Sequence, residues 1–263
     1  MIELDNVYCI DCSLGMKQLE DESIDLTVTS PPYDNLREYK GFTFDAEETI
    51  NQLYRITKQG GVVVWVVGDQ TIDGSETGTS FKQALKFMES GFRLHDTMIY
   101  HKYNYIPLTH NRYEQAFEYM FVFSKGKPKT FNPIMIPCKN AGKVESYGIS
   151  RRRSIDRNQA MRSTEETTYR ATKDEKIHPN IFTYTCGSAK TGHPAPFPDE
   201  LALDMIRSWS NKDDIVLDPF IGSGTTALQC MKLDRHFIGF DISEEYIELC
   251  KRRIYANKRN KLF

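Results

Sequence analysis

Residues 62–67 are Val-Val-Val-Trp-Val-Val, an unbroken apolar run that is β-branched at every position but one. A strand that is apolar on both of its faces can leave neither face in water. Such a run belongs inside a sheet covered by helices on both sides, which is the setting of parallel strands. The flanking sequence agrees. Strands are expected at 7–10 (VYCI), 24–29 (IDLTVT), about 92–101 and 117–123. A helix is expected over 46–59, where Ile50, Leu53, Tyr54 and Ile56 fall at helical spacing and Gly60-Gly61 ends it, and another over about 80–90. The alternation returns with a helix at 198–209, a strand at 215–220, a helix from Thr225, a strand from His236 and a closing helix from Ser243. Ser243 is placed as its N-cap, and basic residues crowd its C-terminal end as the helix dipole favours. The expected fold class is α/β and Rossmann-like, with a mostly parallel sheet and helices on both faces.

The 263 residues suit one large α/β domain carrying an inserted lobe, and 40% apolar residues suffice for a sizeable core. No stretch reaches the ~18 apolar residues of a membrane span. The first residues lack the basic start and apolar run of a signal peptide, so a cytoplasmic location without membrane contact is expected. Net charge is −2, so any phosphate-binding surface must be local. Residues 136–185 interrupt the alternation: between Lys139 and Arg162, seven basic residues are opposed only by Glu145 and Asp156. The expected division is 1–135 and 186–263 for the two halves of the main domain, with 136–185 inserted between them. Of the six cysteines only Cys9 and Cys12 form a C-x-x-C, and no second pair completes a zinc site. The bland account of that pair, a strand residue and one just past the strand's end, is preferred to a redox motif.

The strongest local signature is DPFIGSGTTA at 218–227, between an apolar strand and a helix. Gly222, Gly224 and Ala227 fit G-x-G-x-x-[GA], whose glycines let main chain approach a bound nucleotide closely. The next strand ends in Asp241, 17 residues after Gly224, near the ~20 expected of an acid that accepts both ribose hydroxyls. Asp218 heads the turn. A carboxylate there would repel a pyrophosphate and attract the sulfonium and ammonium of S-adenosylmethionine, which favours a methyl donor over a nicotinamide dinucleotide.

TSPPY at 29–33 sits where a strand ends, the place at which open α/β sheets bind ligands. An exocyclic base amine is a poor nucleophile because its lone pair is delocalised into the ring. Two acceptors on its hydrogens draw the nitrogen toward tetrahedral geometry and aim the lone pair. The Ser30 hydroxyl and the Pro31 carbonyl are such acceptors. Pro31 and Pro32 stiffen the loop and offer no competing N–H. Tyr33 presents a ring on which a flipped base can stack.

Taken together, TSPPYDNLREY, HPAPFPDEL, DPFIGSGTTA and FIGFDIS resemble the DNA amino-methyltransferases that act on cytosine N4 or adenine N6. The motif order, with the S-P-P-Y loop first and the glycine loop last, is similar to that of the family's beta subclass. It implies a circularly permuted methyltransferase sheet with S-adenosyl-L-methionine as cofactor and S-adenosyl-L-homocysteine as product. By the same resemblance Asp11 and Cys12 lie near the cofactor's adenine. Asp218, Pro219, Phe220, Gly222, Ser223, Gly224 and Thr225 form its methionine-side loop, and Asp241 and Ile242 its ribose side. His193 to Phe197 lead into a flanking helix. The basic insertion takes the position of the target-recognition lobe. Lys139, Lys143, Arg151, Arg152, Arg153 and Arg157, with Arg37 beyond the tetrapeptide, are the candidate DNA contacts.

Serine at the head of the tetrapeptide resembles the cytosine-N4 members, with adenine N6 as the alternative. Cytosine C5 chemistry needs an attacking thiolate, and the one Pro-Cys, Pro137-Cys138, lies inside the insertion. The expected reaction is direct attack on the donor's methyl group by a flipped base of double-stranded DNA, with no covalent enzyme intermediate and no metal. A nicotinamide oxidoreductase, a catalytically silent DNA-binding protein and an RNA methyltransferase are the remaining alternatives. A homodimer and a cognate restriction endonuclease are partners that the resemblance implies.

Overall fold

The computed structural model describes residues 2–32, 44–105, 112–147, 168–171, 173–185 and 198–260. In chain order these form β1 (Asn6–Cys9), α1 (Cys12–Met16), β2 (Ile24–Thr29), α2 (Ala46–Ile56), β3 (Thr57–Val67), β4 (Thr71–Ile72), β5 (Ser75–Glu76), α3 (Thr79–Glu89), β6 (Arg93–Lys102) and β7 (Phe117–Ser124). Then come β8 (Met135–Pro137), β9 (Val144–Tyr147), β10 (Thr168–Ala171), β11 (Glu175–Ile177), β12 (Ile181–Tyr184), α4 (Asp199–Trp209), β13 (Ile215–Asp218), α5 (Thr225–Lys232), β14 (His236–Asp241) and α6 (Glu244–Asn260). Two compact units result: residues 1–132 with 180–263, and residues 133–179.

The larger unit is built on a sheet ordered β1-β14-β13-β2-β3-β7-β6-β12. Every neighbouring pair is parallel except β3·β7 and β7·β6, so β7 alone runs against the rest. The first strand pairs with the last, β1 beside β14, so the half-sheet begun at β13 is completed from the other end of the chain. This is the permuted α/β sheet that the motif order implies.

The Val62–Val67 run lies in β3 with every residue at most 1% exposed. Alternate residues face opposite ways. Val63, Trp65 and Val67 join one core cluster with Met16 of α1, Ile50, Leu53 and Ile56 of α2, and Ala84 and Phe87 of α3. Helices α4, α5 and α6 pack one on the next over the other face. Phe87 is the keystone of the first layer. Its ring stacks on Phe123 at 4.1 Å and 5° and meets Trp65 edge-on at 5.0 Å.

The structure departs from the sequence expectations at three places. Helix α2 ends at Ile56, not at residue 59, because Thr57 is already extended and pairs with Ile24 of β2. The β2 register then passes from Thr57 to Val62, so residues 58–61 bulge out of that ladder, and Gly60 takes a left-handed φ of +83° there. The glycine pair therefore shapes a strand irregularity and does not cap the helix. Second, Asp11 caps a short helix, α1, that lacks the length for a periodic signal. Third, the segment expected as an insertion to residue 185 contains β12, which joins the main sheet parallel to β6. The smaller unit ends at Pro179. Its described residues form two antiparallel ladders, β8·β11 and β9·β10, whose outgoing and returning strands flank in sequence the segment bearing Arg151–Arg153 and Arg157.

Phe87→Ala is expected to lower unfolding free energy by about 3–5 kcal/mol, since it removes a fully buried ring packed against Trp65, Phe92 and Phe123. A urea melt read by circular dichroism checks this; a loss under about 1 kcal/mol would contradict the keystone role.

Candidate active site

Parallel strands deliver their carboxyl ends to one edge of a sheet. Here the ends of β1, β14, β13, β2 and β3 stand side by side, and the motifs follow four of them. Asp11 comes after β1, Ser30-Pro31-Pro32 after β2, Pro219 to Gly224 after β13, and Asp241 ends β14. Cys9 pairs with Asp241, and the Ile10 N–H donates to the Asp241 carbonyl at 2.9 Å.

Asp218 ends β13 and joins three elements. Its Oδ1 accepts from the Thr29 hydroxyl at 2.6 Å and from the Phe220 N–H at 3.1 Å; its Oδ2 accepts from the Thr226 hydroxyl at 2.7 Å. The residue before Ser30 is thereby tied to the head of the glycine loop and to the first turn of α5. Asp218 is 6% exposed as a residue. Burial pushes its pKa up to about 6, against the pull of the two threonine hydroxyls and the Phe220 N–H, while the nearby Asp241 charge raises it further.

Asp241 is held more loosely. Its Oδ1 accepts from the Ser243 N–H at 2.8 Å and its Oδ2 from the Gly222 N–H at 3.1 Å. Each oxygen keeps acceptor capacity. Partial burial raises its pKa against the Ser243, Gly222 and Ile242 N–H groups. Asp11 caps α1 through a single oxygen, Oδ1, which accepts from the Ser13 and Leu14 N–H groups and from the Ser13 hydroxyl. Its Oδ2 takes part in none of these bonds.

The glycine loop is tight. Gly222 and Gly224 have φ of +49° and +88°. A Cβ added at Gly224 would stand 2.4 Å from Cys250 Sγ of α6, so both the conformation and the space demand glycine. Ser223 and Thr225 are buried. Phe220 meets Phe44 edge-on at 5.3 Å and Trp65 at 6.3 Å, which anchors the loop to the β3 core. Ser30 and Pro32 are half-buried and Pro31 is buried.

Among the remaining sequence candidates, Cys12 turns its thiol into the core, 3.6 Å from the Thr49 hydroxyl, and burial raises its pKa to about 12. Any part it plays at the sheet edge belongs to its main chain. Cys9 is exposed and directs its thiol to the Ile242 carbonyl at 3.7 Å, so the C-x-x-C side chains diverge. Ile242 is half-buried beside it, and Pro219 is buried at the base of the loop. Lys139 and Lys143 are exposed in the smaller unit, and Lys143 donates to Asn140 Oδ1 at 3.2 Å. Tyr33, Arg37, Arg151, Arg152, Arg153, Arg157, His193 and Phe197 lie outside the described residues. No motif in the sequence names Thr29 and Thr226 as partners of Asp218. A signal existed: one threonine directly precedes the tetrapeptide and the other follows the glycines by two.

A carboxyl whose pKa rises on folding makes the folded state bind more protons than the unfolded chain between about pH 4 and pH 6. Its ionisation therefore opposes folding, fully so above pH 6, and the opposition fades as pH falls toward 4. Asp218→Asn keeps the shape and removes the charge. It is expected to melt at or above the parent's temperature at pH 8, with the advantage shrinking as pH falls to 4. Lower stability of the variant at pH 8 would show that the threonine bonds outweigh burial.

The arrangement matches known proteins. A family model described as DNA methylase covers residues 24–252. The orphan methyltransferase M.BamHII of Bacillus amyloliquefaciens is 49% identical over 248 residues, which span 90% of this chain and 91% of that protein. The Type II methyltransferase M.HpaI of Haemophilus parainfluenzae is 28% identical over 94% of this chain and 73% of its own. Among solved structures, the cytosine-N4-specific PvuII DNA methyltransferase gives a TM-score of 0.66 at 20% identity, covering 95% of this chain and 90% of that one. A complex of M1.HpyAVI with SAM gives 0.60 at 25% identity, over 94% of this chain and 98% of that one. A nicotinamide oxidoreductase is thereby set aside: with the permuted sheet, and Ser30-Pro31-Pro32 and the glycine loop at one edge, the chain belongs to the DNA methylase family of N6 and N4 methyltransferases.

Proposed function

We propose that this DNA methyltransferase transfers a methyl group from S-adenosylmethionine to the exocyclic N4 amine of a cytosine flipped out of double-stranded DNA. The observation that carries the reading is the Thr29–Asp218 hydrogen bond of 2.6 Å, which fastens the end of the strand before Ser30-Pro31 to the head of the glycine loop. A nucleophile held by one loop then lies next to an electrophile held by the other.

The residues present fit the cofactor. The glycine loop makes its turn through positive φ at Gly222 and Gly224, with Gly224 packed against Cys250 of α6. Asp241 can accept from two ribose hydroxyls with its remaining lone pairs, and Asp11 Oδ2 stands at the adjoining strand end. Asp218, occupied by three donors, acts on a cationic ligand through its field more than by direct contact. Bound there, S-adenosylmethionine supplies an electrophilic methyl carbon on a sulfonium.

The chain's own groups prepare the amine. The Ser30 hydroxyl and the Pro31 carbonyl accept its two N–H bonds and direct its lone pair, and the proton shed after transfer leaves to solvent. Tyr33 stacks the base. Serine at position 30 supports cytosine over adenine N6. The basic segment 139–162, with Arg37, supplies phosphate and base contacts. The names of several relatives support a Type II restriction–modification setting with a cognate endonuclease. The name of M.BamHII, an orphan methyltransferase, favours a second reading in which this chain works without one. Dimerisation, which would enlarge the DNA footprint of one short recognition lobe, belongs to the same proposal.

Mass spectrometry of nucleosides from unmethylated DNA incubated with protein and S-adenosylmethionine is expected to show N4-methylcytosine; N6-methyladenine would overturn the base assignment. Ser30→Ala is expected to lower kcat on the order of a hundredfold with cofactor affinity unchanged. Near-parental turnover would remove Ser30 from the mechanism. Asp241→Ala is expected to weaken cofactor binding about tenfold by calorimetry, the loss of charge-assisted hydrogen bonds. Unchanged affinity would displace the ribose from Asp241.

A further inference from the structure

The glycine loop is tied down from a direction that no motif announces. Helix α6 runs past it with Cys250 against Gly224. Three residues on, and so on the same face of the helix, Arg253 reaches the loop. Its Nη1 donates to the Ser223 carbonyl at 2.6 Å and to the Ser223 hydroxyl at 3.0 Å. Ser223 is the centre of Gly222-Ser223-Gly224. The glycines on either side adopt positive φ but are free to adopt much else, so local preference does not set the shape of this turn. Its other ties include main-chain and carboxylate contacts at the flanks: the Ile221 N–H to the Phe240 carbonyl, the Gly224 N–H to the Ile221 carbonyl, the Leu228 N–H to the Gly224 carbonyl, and the Gly222 N–H to Asp241. Arg253 holds the middle. A charged donor on a buried carbonyl is among the stronger hydrogen bonds a protein makes.

We infer that Arg253 is a positioning residue for the cofactor: it holds the Gly-Ser-Gly turn open in the conformation that admits S-adenosylmethionine, although it belongs to the closing helix and to none of the motifs. The inference rests on the reading that this loop carries the methionine end of the cofactor. Removal of the guanidinium would let the turn sample other conformations, and binding would have to select the competent one.

The test compares Arg253→Met, which keeps the apolar stem, with Arg253→Lys, which keeps a donor, and with Asp241→Ala as reference. Calorimetry with S-adenosylmethionine is expected to show Kd raised roughly tenfold for R253M and within about threefold of the parent for R253K. KM for the cofactor should follow Kd, with kcat at saturating cofactor close to the parent's. Amide exchange at residues 222–225 should quicken in R253M and not elsewhere. Parental Kd in R253M, with binding weakened in D241A, overturns the role of Arg253 alone. Parental Kd in both variants overturns the placement of the cofactor as well. If R253K binds as weakly as R253M, hydrogen bonding to Ser223 is not what the arginine contributes, and the inference fails.

Discussion

The link between the loop after β2 and the glycine loop depends on one side chain at the meeting of two strand ends. A parallel sheet brings its loops to a common edge but leaves each loop independent. Asp218 removes that independence where it matters, because its two oxygens gather Thr29, Phe220 and Thr226 from β2, the glycine loop and α5. The side chain that a cationic ligand would sense is therefore also the one that sets the spacing between the two loops. A buried charge satisfied by hydroxyl and amide dipoles, and not by a cation, keeps its negative field.

The elements around it serve that arrangement. Trp65 packs edge-on against Phe87 in the β3 core, and Phe220 packs against Trp65, so the glycine loop is joined to the central sheet through aromatic contacts. From the other side, Cys250 and Arg253 of α6 press and clasp the same loop. Permutation of the chain does not disturb this. β1, made first, completes the half-sheet of β13 and β14, made last, because strand pairing is decided by edge complementarity and not by order of synthesis. The described residues of the smaller unit form two antiparallel ladders. Its sequence is net positive, with 10 basic against 6 acidic residues, whereas that of the main unit is net negative.

The legible parts of the sequence were those with a strong local cause. The Val62–Val67 run announced a strand covered on both faces, and the glycine spacing announced a turn that only glycine can make. The errors arose where distant partners outvote local preference. Residues 57–59 continue a helical pattern in sequence, yet Ile24 recruits Thr57 into the sheet. β12 looked like part of a polar insertion, because four residues carry too little periodicity to reveal an edge strand beside β6.

By itself the sequence determined the fold class, the two loops and the family, because apolar runs, glycines with obligatory backbone conformations and short motifs act through neighbours along the chain. Only the tertiary structure decided which side chains hold those loops. Thr29 meets Asp218 across 189 positions, and Arg253 meets Ser223 across 30. Hydrogen bonds of that kind leave no local signature, since a threonine or an arginine has the same propensities whether or not a distant acceptor is brought to it; the sheet order and the helix packing create the partner.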